Sequence, residues 1–203
     1  PVHRRVKVAV FSTGSELVMP GEPLPPGGIY NSNRYLLRGL LAGLGCEVED
    51  FGIVPDRLDA TREVLRRAAE GHDLILTSGG VSVGEEDHVK PAVEAEGSLD
   101  MWKIAMKPGK PLAYGRVHGA AFIGLPGNPV SSFVTFLLMV RPFLLATQGV
   151  SEVAPASMQL RADFDWRAFG TEDRIKWGGS FREFGFDTTE LRRASNEAVS
   201  PTL

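Results

Sequence analysis

Short β-rich runs alternate along the chain with stretches in which apolar residues recur every three or four positions. Residues 6–11 (VKVAVF) form the first run, closing on Ser12-Thr13-Gly14. Between residues 33 and 44, Leu36, Leu37, Leu40, Leu41 and Leu44 share one helical stripe that Gly45 stops. Residues 48–54 read as a strand. Residues 58–69 read as an amphipathic helix, with Arg62, Glu63, Arg66 and Arg67 on its wet side and Gly71 as its stop. Residues 73–77 (DLILT) predict a buried strand closed by Ser78-Gly79-Gly80. Further strands are expected at 99–106, 111–117 and 120–125, a helix opening at His88, and a long apolar helix at about 129–147.

Strands separated by helices with short links predict an α/β domain of three layers, a mostly parallel sheet flanked by helices. Ligands of such domains sit on loops beyond the carboxyl ends of the strands. That rule singles out loops 12–33, 54–58, 77–90 and 124–132. Residues 1–149 hold 19 of the 23 glycines and 12 of the 14 prolines. The shift predicts a boundary near Gln148-Gly149, with an α/β domain over 1–149 and a small β domain over 150–203. In that tail, 157–165, 174–178 and 180–186 read as strands without helices.

Composition narrows the partners. With 22 basic and 25 acidic residues the net charge is -3, which argues against a nucleic-acid or anionic-membrane coat. The longest apolar stretch, 133–140, is far short of the roughly 20 residues of a membrane span. No signal segment opens the chain, and the single Cys46 excludes a disulfide framework, so a reducing cytoplasm is expected. The chain starts at Pro1 and is already strand-like at Val6, which predicts a piece of a longer protein.

Candidate chemistry falls on the loops. In Gly124-Leu-Pro-Gly-Asn-Pro-Val-Ser131, Asn128 suits a helix cap with Pro129 in the first turn, and the free N–H groups there, with the Ser131 and Ser132 hydroxyls, suit an anion; a well-capped core helix explains the same residues. Residues 77–84 (TSGGVSVG) allow close backbone approach to a phosphate or ribose, with a tight strand-to-helix turn as the plain alternative. They match neither a P-loop nor a dinucleotide fingerprint. Glu16, Asp56 and Asp87 follow predicted strands, and separated carboxylates beside a phosphate loop would suit Mg²⁺. No acidic residue lies between Asp100 and Glu152, whereas Lys103, Lys107 and Lys110 do; Lys107-Pro-Gly-Lys-Pro111 is a stiff basic loop suited to an oxyanion, or an ordinary surface turn. The four histidines have no metal-ligand spacing.

Five motifs occur in one order: Phe11-Ser-Thr-Gly-Ser-Glu-Leu17, Ile29-Tyr-Asn-Ser-Asn33, Ser78-Gly-Gly-Val-Ser-Val-Gly-Glu-Glu-Asp87, Ile104-Ala-Met-Lys-Pro-Gly-Lys-Pro111 and Gly124-Leu-Pro-Gly-Asn-Pro-Val-Ser131. Together they resemble the molybdopterin molybdotransferase family, the MoeA and gephyrin E-domain type, over about residues 4–149. The resemblance implies the MogA/MoaB-like molybdopterin-binding fold, followed by the start of a truncated β-barrel. It implies insertion of molybdate into adenylylated molybdopterin with release of AMP and a requirement for Mg²⁺. Glu16, Asp56 and Asp87 would be active-site carboxylates, Asp56 and Asp87 the metal ligands. Ser78, Gly79, Gly80, Ser82, Asn128 and Ser131 would bind the phosphates or pterin, Lys103, Lys107 and Lys110 would attract the anions, and Pro126 and Pro129 would shape the cleft. Ser15 and Asn31 stand where the family often has Asp and are not counted as catalytic. The family implies a cytoplasmic homodimer in the full-length protein, with a molybdopterin adenylyltransferase as partner. Competing readings are that adenylyltransferase on the same fold, a gephyrin-like scaffold without catalysis, and a CinA-type nucleotide-processing domain.

Overall fold

A computed structural model describes residues 4–81, 88–104 and 111–154, and two strands at Ser180–Arg182 and Gly185–Asp187. The chain divides into two compact units, Pro1–Ser151 and Glu152–Leu203. In the first unit the chain order is β1 (Lys7–Thr13), β2 (Leu17–Val18), β3 (Ile29–Tyr30), α1 (Ser32–Gly43), β4 (Glu47–Val54), α2 (Leu58–Ala69), β5 (Leu74–Ser78), α3 (Val89–Glu96), β6 (Gly97–Lys103), β7 (Pro111–Val117), β8 (Ala120–Leu125), α4 (Pro129–Thr135) and α5 (Arg141–Thr147). Six strands form one sheet in the order β4-β1-β5-β8-β7-β6. The first four run parallel, and β7 and β6 continue the sheet antiparallel.

Alternation along each central strand feeds two cores. Val8 and Val10 of β1, with Leu74 and Leu76 of β5, pack under α1 and α5 against Leu37, Leu41 and Leu144. Ala9, Phe11 and Ile75 face the other way, onto Val64 and Leu65 of α2 and Val93 of α3. A parallel sheet covered on both faces needs apolar residues on both sides of each strand, so its strands are continuous apolar runs. The mostly parallel three-layer architecture is therefore as expected from the sequence.

The last helix differs from its sequence reading. A π-helical turn over Phe136–Val140 joins α4 to α5 into 19 continuous residues. Pro142, in the first turn of α5, has no N–H to donate, and its ring crowds the carbonyl four residues back; a local widening relieves both. By length and composition this helix could cross a membrane, so the 133–140 stretch understated it. Its Ser132, Thr135, Phe136, Val140 and Leu144 are nevertheless buried, and it covers one face of the sheet.

In the second unit, residues 180–186 are not one strand. Ser180–Arg182 pairs antiparallel with Gly185–Asp187, Phe181 opposite Phe186. The expected strands at 157–165 and 174–178 lie outside the described residues.

Two ion-pair groups brace the first unit away from the carboxyl ends of the parallel strands. Asp73 accepts from Arg4 Nη1 at 2.7 Å, from Arg4 Nη2 and from the Lys7 N–H at 2.9 Å. Glu96, at the end of α3, accepts from Arg62 Nε at 2.6 Å and Arg66 Nη1 at 3.2 Å, and lies 3.1 Å from His118 Nε2. The Arg4 guanidinium holds the Asp73 carboxyl below the usual carboxylate range, and Arg62, followed by His118, does the same for Glu96. A depressed folded-state pKa contributes stability that is complete above the unfolded value and is lost as pH falls through the folded one. Stability is thus expected to decline as pH drops below about 5. Urea midpoints measured across that range should fall less steeply in Glu96→Gln; an identical slope would exclude Glu96 as a source.

Candidate functional site

The connections around the sheet create a crevice. From β1 the chain passes to β4 on one side of it, whereas from β5 it passes through α3 to β6 at the opposite edge and returns through β7 to β8. Loops after adjacent strands that leave in opposite directions part from each other, and ligands of open α/β sheets sit there. A cavity of about 700 Å³ occupies this place. It is lined by Thr13, Gly14 and Glu16 after β1, Asp56 after β4, Ser78, Gly79 and Gly80 at the end of β5, and Pro126, Gly127, Asn128, Pro129 and Ser131 after β8. The start of α1 adds Asn31 and Asn33.

Each wall has a local cause. The Ile29 N–H donates to the Glu16 carbonyl at 2.8 Å, and β2 pairs with β3, which fastens the segment carrying Glu16. Its carboxylate folds back over Gly14, where a methyl group would meet Oε2 at 2.7 Å. Gly79 and Gly80 adopt φ of +87° and +66°, which glycine alone takes at little cost. A Cβ on Gly79 would overlap the Thr13 carbonyl, so the end of β5 crosses the end of β1 in direct backbone contact. The Gly79 N–H donates to the Leu125 carbonyl at 3.0 Å, joining this turn to β8.

Asn128 caps α4 by accepting from the Ser131 N–H at 3.1 Å. Ser132 Oγ donates to the Pro126 carbonyl, and Asn33 Nδ2 donates to the Gly127 carbonyl at 2.7 Å, so the loop is held from two sides. Asn31 caps α1 by accepting from the Arg34 N–H at 3.2 Å. Ser12 Oγ and Ser78 Oγ lie 3.1 Å apart between β1 and β5.

The candidate residues divide into three groups. Glu16, Asp56, Ser78, Gly79, Gly80, Pro126, Asn128, Pro129 and Ser131 line one cavity. Lys103 ends the edge strand β6, is exposed and does not itself line it, although its register partner Pro111 at the start of β7 does. Ser82, Asp87, Lys107 and Lys110 lie outside the described residues. Thr13, Asn31 and Asn33 were not among the candidates. Asn31 and Asn33 sit in the Ile29–Asn33 motif, where an asparagine before a helix reads first as a cap.

Two described carboxylates, Glu16 and Asp56, face the cavity, and Asp56 Oδ1 is buried without a hydrogen-bond partner among the described residues. No group of three His, Cys, Asp or Glu that could hold a metal occurs among the described residues. Mg²⁺ retains waters and substrate phosphates as ligands and needs only one or two carboxylates, so this pair fits it. Cys46 is half-buried between α1 and β4, and burial pushes its thiol pKa up, which leaves a poor nucleophile.

Comparison with known proteins places these residues in company. The family described as "Probable molybdopterin binding domain" matches residues 9–146. A molybdopterin molybdenumtransferase of Haemophilus influenzae is 49% identical over 147 residues, which is 72% of this chain and 36% of that protein. The chain thus spans little more than a third of that relative's length. The crystal structure of a molybdopterin biosynthesis MoeA protein from Pyrococcus horikoshii is 36% identical with a TM-score of 0.66, covering 72% of this chain and 36% of that one. The molybdopterin biosynthesis enzyme MoaB of Thermus thermophilus is 25% identical with a TM-score of 0.53, covering 71% of this chain and 97% of its own.

Proposed function

This chain belongs to the probable molybdopterin binding domain family, and from that premise we propose that it serves molybdopterin molybdotransferase activity, the insertion of molybdate into adenylylated molybdopterin with release of AMP. The observation that carries this reading is the cavity at the strand ends, where carboxylates, a glycine turn and a capped helix start converge. Glu16 and Asp56 are the acidic side and would hold Mg²⁺ together with the waters and phosphates it keeps. When bound, the cation supplies charge neutralisation at the phosphates. Asp87, outside the described residues, would join them.

The Gly79–Gly80 turn presents its backbone at the cavity wall, where it would meet the phosphates, and the Ser78 and Ser131 hydroxyls supply hydrogen bonds. Pro126 and Pro129 bracket Gly127 and Asn128 and stiffen the opposite wall. Lys107 and Lys110 would attract molybdate, an oxyanion, by charge. The complete protein acts as a cytoplasmic homodimer that receives its substrate from a molybdopterin adenylyltransferase.

Calorimetric titration of the chain with AMP, with and without Mg²⁺, tests the reading. Binding strengthened by Mg²⁺ is expected. An AMP affinity indifferent to Mg²⁺ would remove the carboxylates from the proposed role.

A further inference from the structure

Besides the Asp56 carboxylate, three uncharged side chains in the cavity wall carry buried polar atoms with no hydrogen-bond partner among the described residues. Thr13, Asn31 and Asn33 are 3%, 1% and 7% exposed. Thr13 Oγ1, Asn31 Nδ2 and Asn33 Oδ1 have no hydrogen-bond partner among the described residues. Buried polar atoms in folded proteins are otherwise nearly always paired, so three unpaired ones along one cavity call for a cause.

Chemistry identifies the unpaired amide atoms. Asn31 uses its oxygen to accept the Arg34 N–H, which leaves the nitrogen, a donor. Asn33 gives its nitrogen to the Gly127 carbonyl, which can only accept, and this leaves the oxygen, an acceptor. The wall therefore offers one donor, one acceptor and one hydroxyl, none of them charged. An ionised phosphate carries only acceptors and cannot satisfy Asn33 Oδ1. An uncharged group bearing both an O–H or N–H and an acceptor can satisfy all three kinds of atom.

Thr13 stands at the end of β1, and a side chain on Gly80 would overlap its Oγ1. The hydroxyl is thus covered on that side by a glycine, a residue with no side chain to displace. We propose that Thr13, supported by Asn31 and Asn33, is a specificity-determining residue that recognises the uncharged hydrogen-bonding edge of the ligand, a ribose hydroxyl or the lactam of a pterin. This rests on the reading of the cavity as a site for adenylylated molybdopterin. The acidic residues and the glycine turn then take the charged part of the same ligand.

Thr13→Val removes the hydroxyl at nearly constant shape. No hydrogen bond to a described residue is lost, so the variant is expected to melt at the wild-type temperature or higher. Its ligand affinity is expected to fall roughly three- to tenfold, the worth of one neutral hydrogen bond. Thr77→Val is the control. Thr77 Oγ1 is also buried and unpaired, but Thr77 does not line the cavity, so this variant should gain stability and keep its affinity.

Calorimetric titrations with AMP and with 6-hydroxymethylpterin, both in Mg²⁺, separate the two sources. Weakening confined to AMP assigns Thr13 to the ribose, and weakening confined to the pterin assigns it to the lactam; either supports the proposal. Wild-type affinity for both probes in Thr13→Val overturns it. A lowered melting temperature also overturns it, because the hydroxyl would then be satisfied within the protein. A wild-type chain that binds neither probe overturns the reading of the cavity, and this proposal with it.

Discussion

Asp56→Asn is expected to lose most of the Mg²⁺-dependent affinity for AMP, roughly ten- to hundredfold, while melting no lower than the wild type. Asp56 follows β4 and faces the cavity, yet its Oδ1 is buried and takes no hydrogen bond from the described residues. Neutralising it therefore breaks no hydrogen bond to a described residue at that oxygen and removes the cost of an uncompensated buried charge. What disappears is the attraction of a full negative charge for a cation. Interactions with charged groups are worth about 1.5–3 kcal/mol, which converts to the stated loss in affinity. Paired titrations with and without Mg²⁺, alongside thermal melts, measure both halves. If the Mg²⁺ effect survives intact in Asp56→Asn, the carboxylate is not a ligand.

The second large effect concerns stability. Gly79→Ala is expected to cost about 2–5 kcal/mol, the sum of a left-handed backbone conformation and an overpacked contact. The conformational part alone is about 1–2 kcal/mol. Gly45 isolates that part, since its φ is +73° and a Cβ there meets nothing within 4 Å. At Gly79 the added carbon would overlap the Thr13 carbonyl, a backbone atom that moves only if β1 or β5 moves with it. Urea midpoints should therefore fall markedly further for Gly79→Ala than for Gly45→Ala. Equal losses would show that the strand ends are not in the tight contact described.

Why the sequence revealed some of this and not the rest follows from the range over which each signal acts. Helical stripes and buried apolar runs are local, so α1, α2, β5 and β8 stand close to where periodicity puts them. The Asn128 cap was visible because cap, proline and serine occupy consecutive positions. The two-residue pairing of β2 with β3 was not, since Leu17 and Val18 find Ile29 and Tyr30 across a proline-rich segment with no alternating pattern. The edge position of Lys103 depends on strand order, which charge along the chain does not encode. Asn33 escaped notice for a similar reason: its bond to Gly127 spans 94 positions. Thr13 Oγ1 has no hydrogen-bond partner among the described residues that would mark it.

The central claim is that the cavity at the ends of β1, β4, β5 and β8 is where the nucleotide end of the substrate sits. Amide chemical-shift mapping of the isotopically labelled chain with AMP and Mg²⁺ tests this most directly. The account predicts shifts concentrated at Gly14, Glu16, Asn31, Gly79, Gly80, Gly127 and Ser131. Shifts centred instead on the Arg62, Glu96 and His118 group, or spread evenly over the surface, would contradict it.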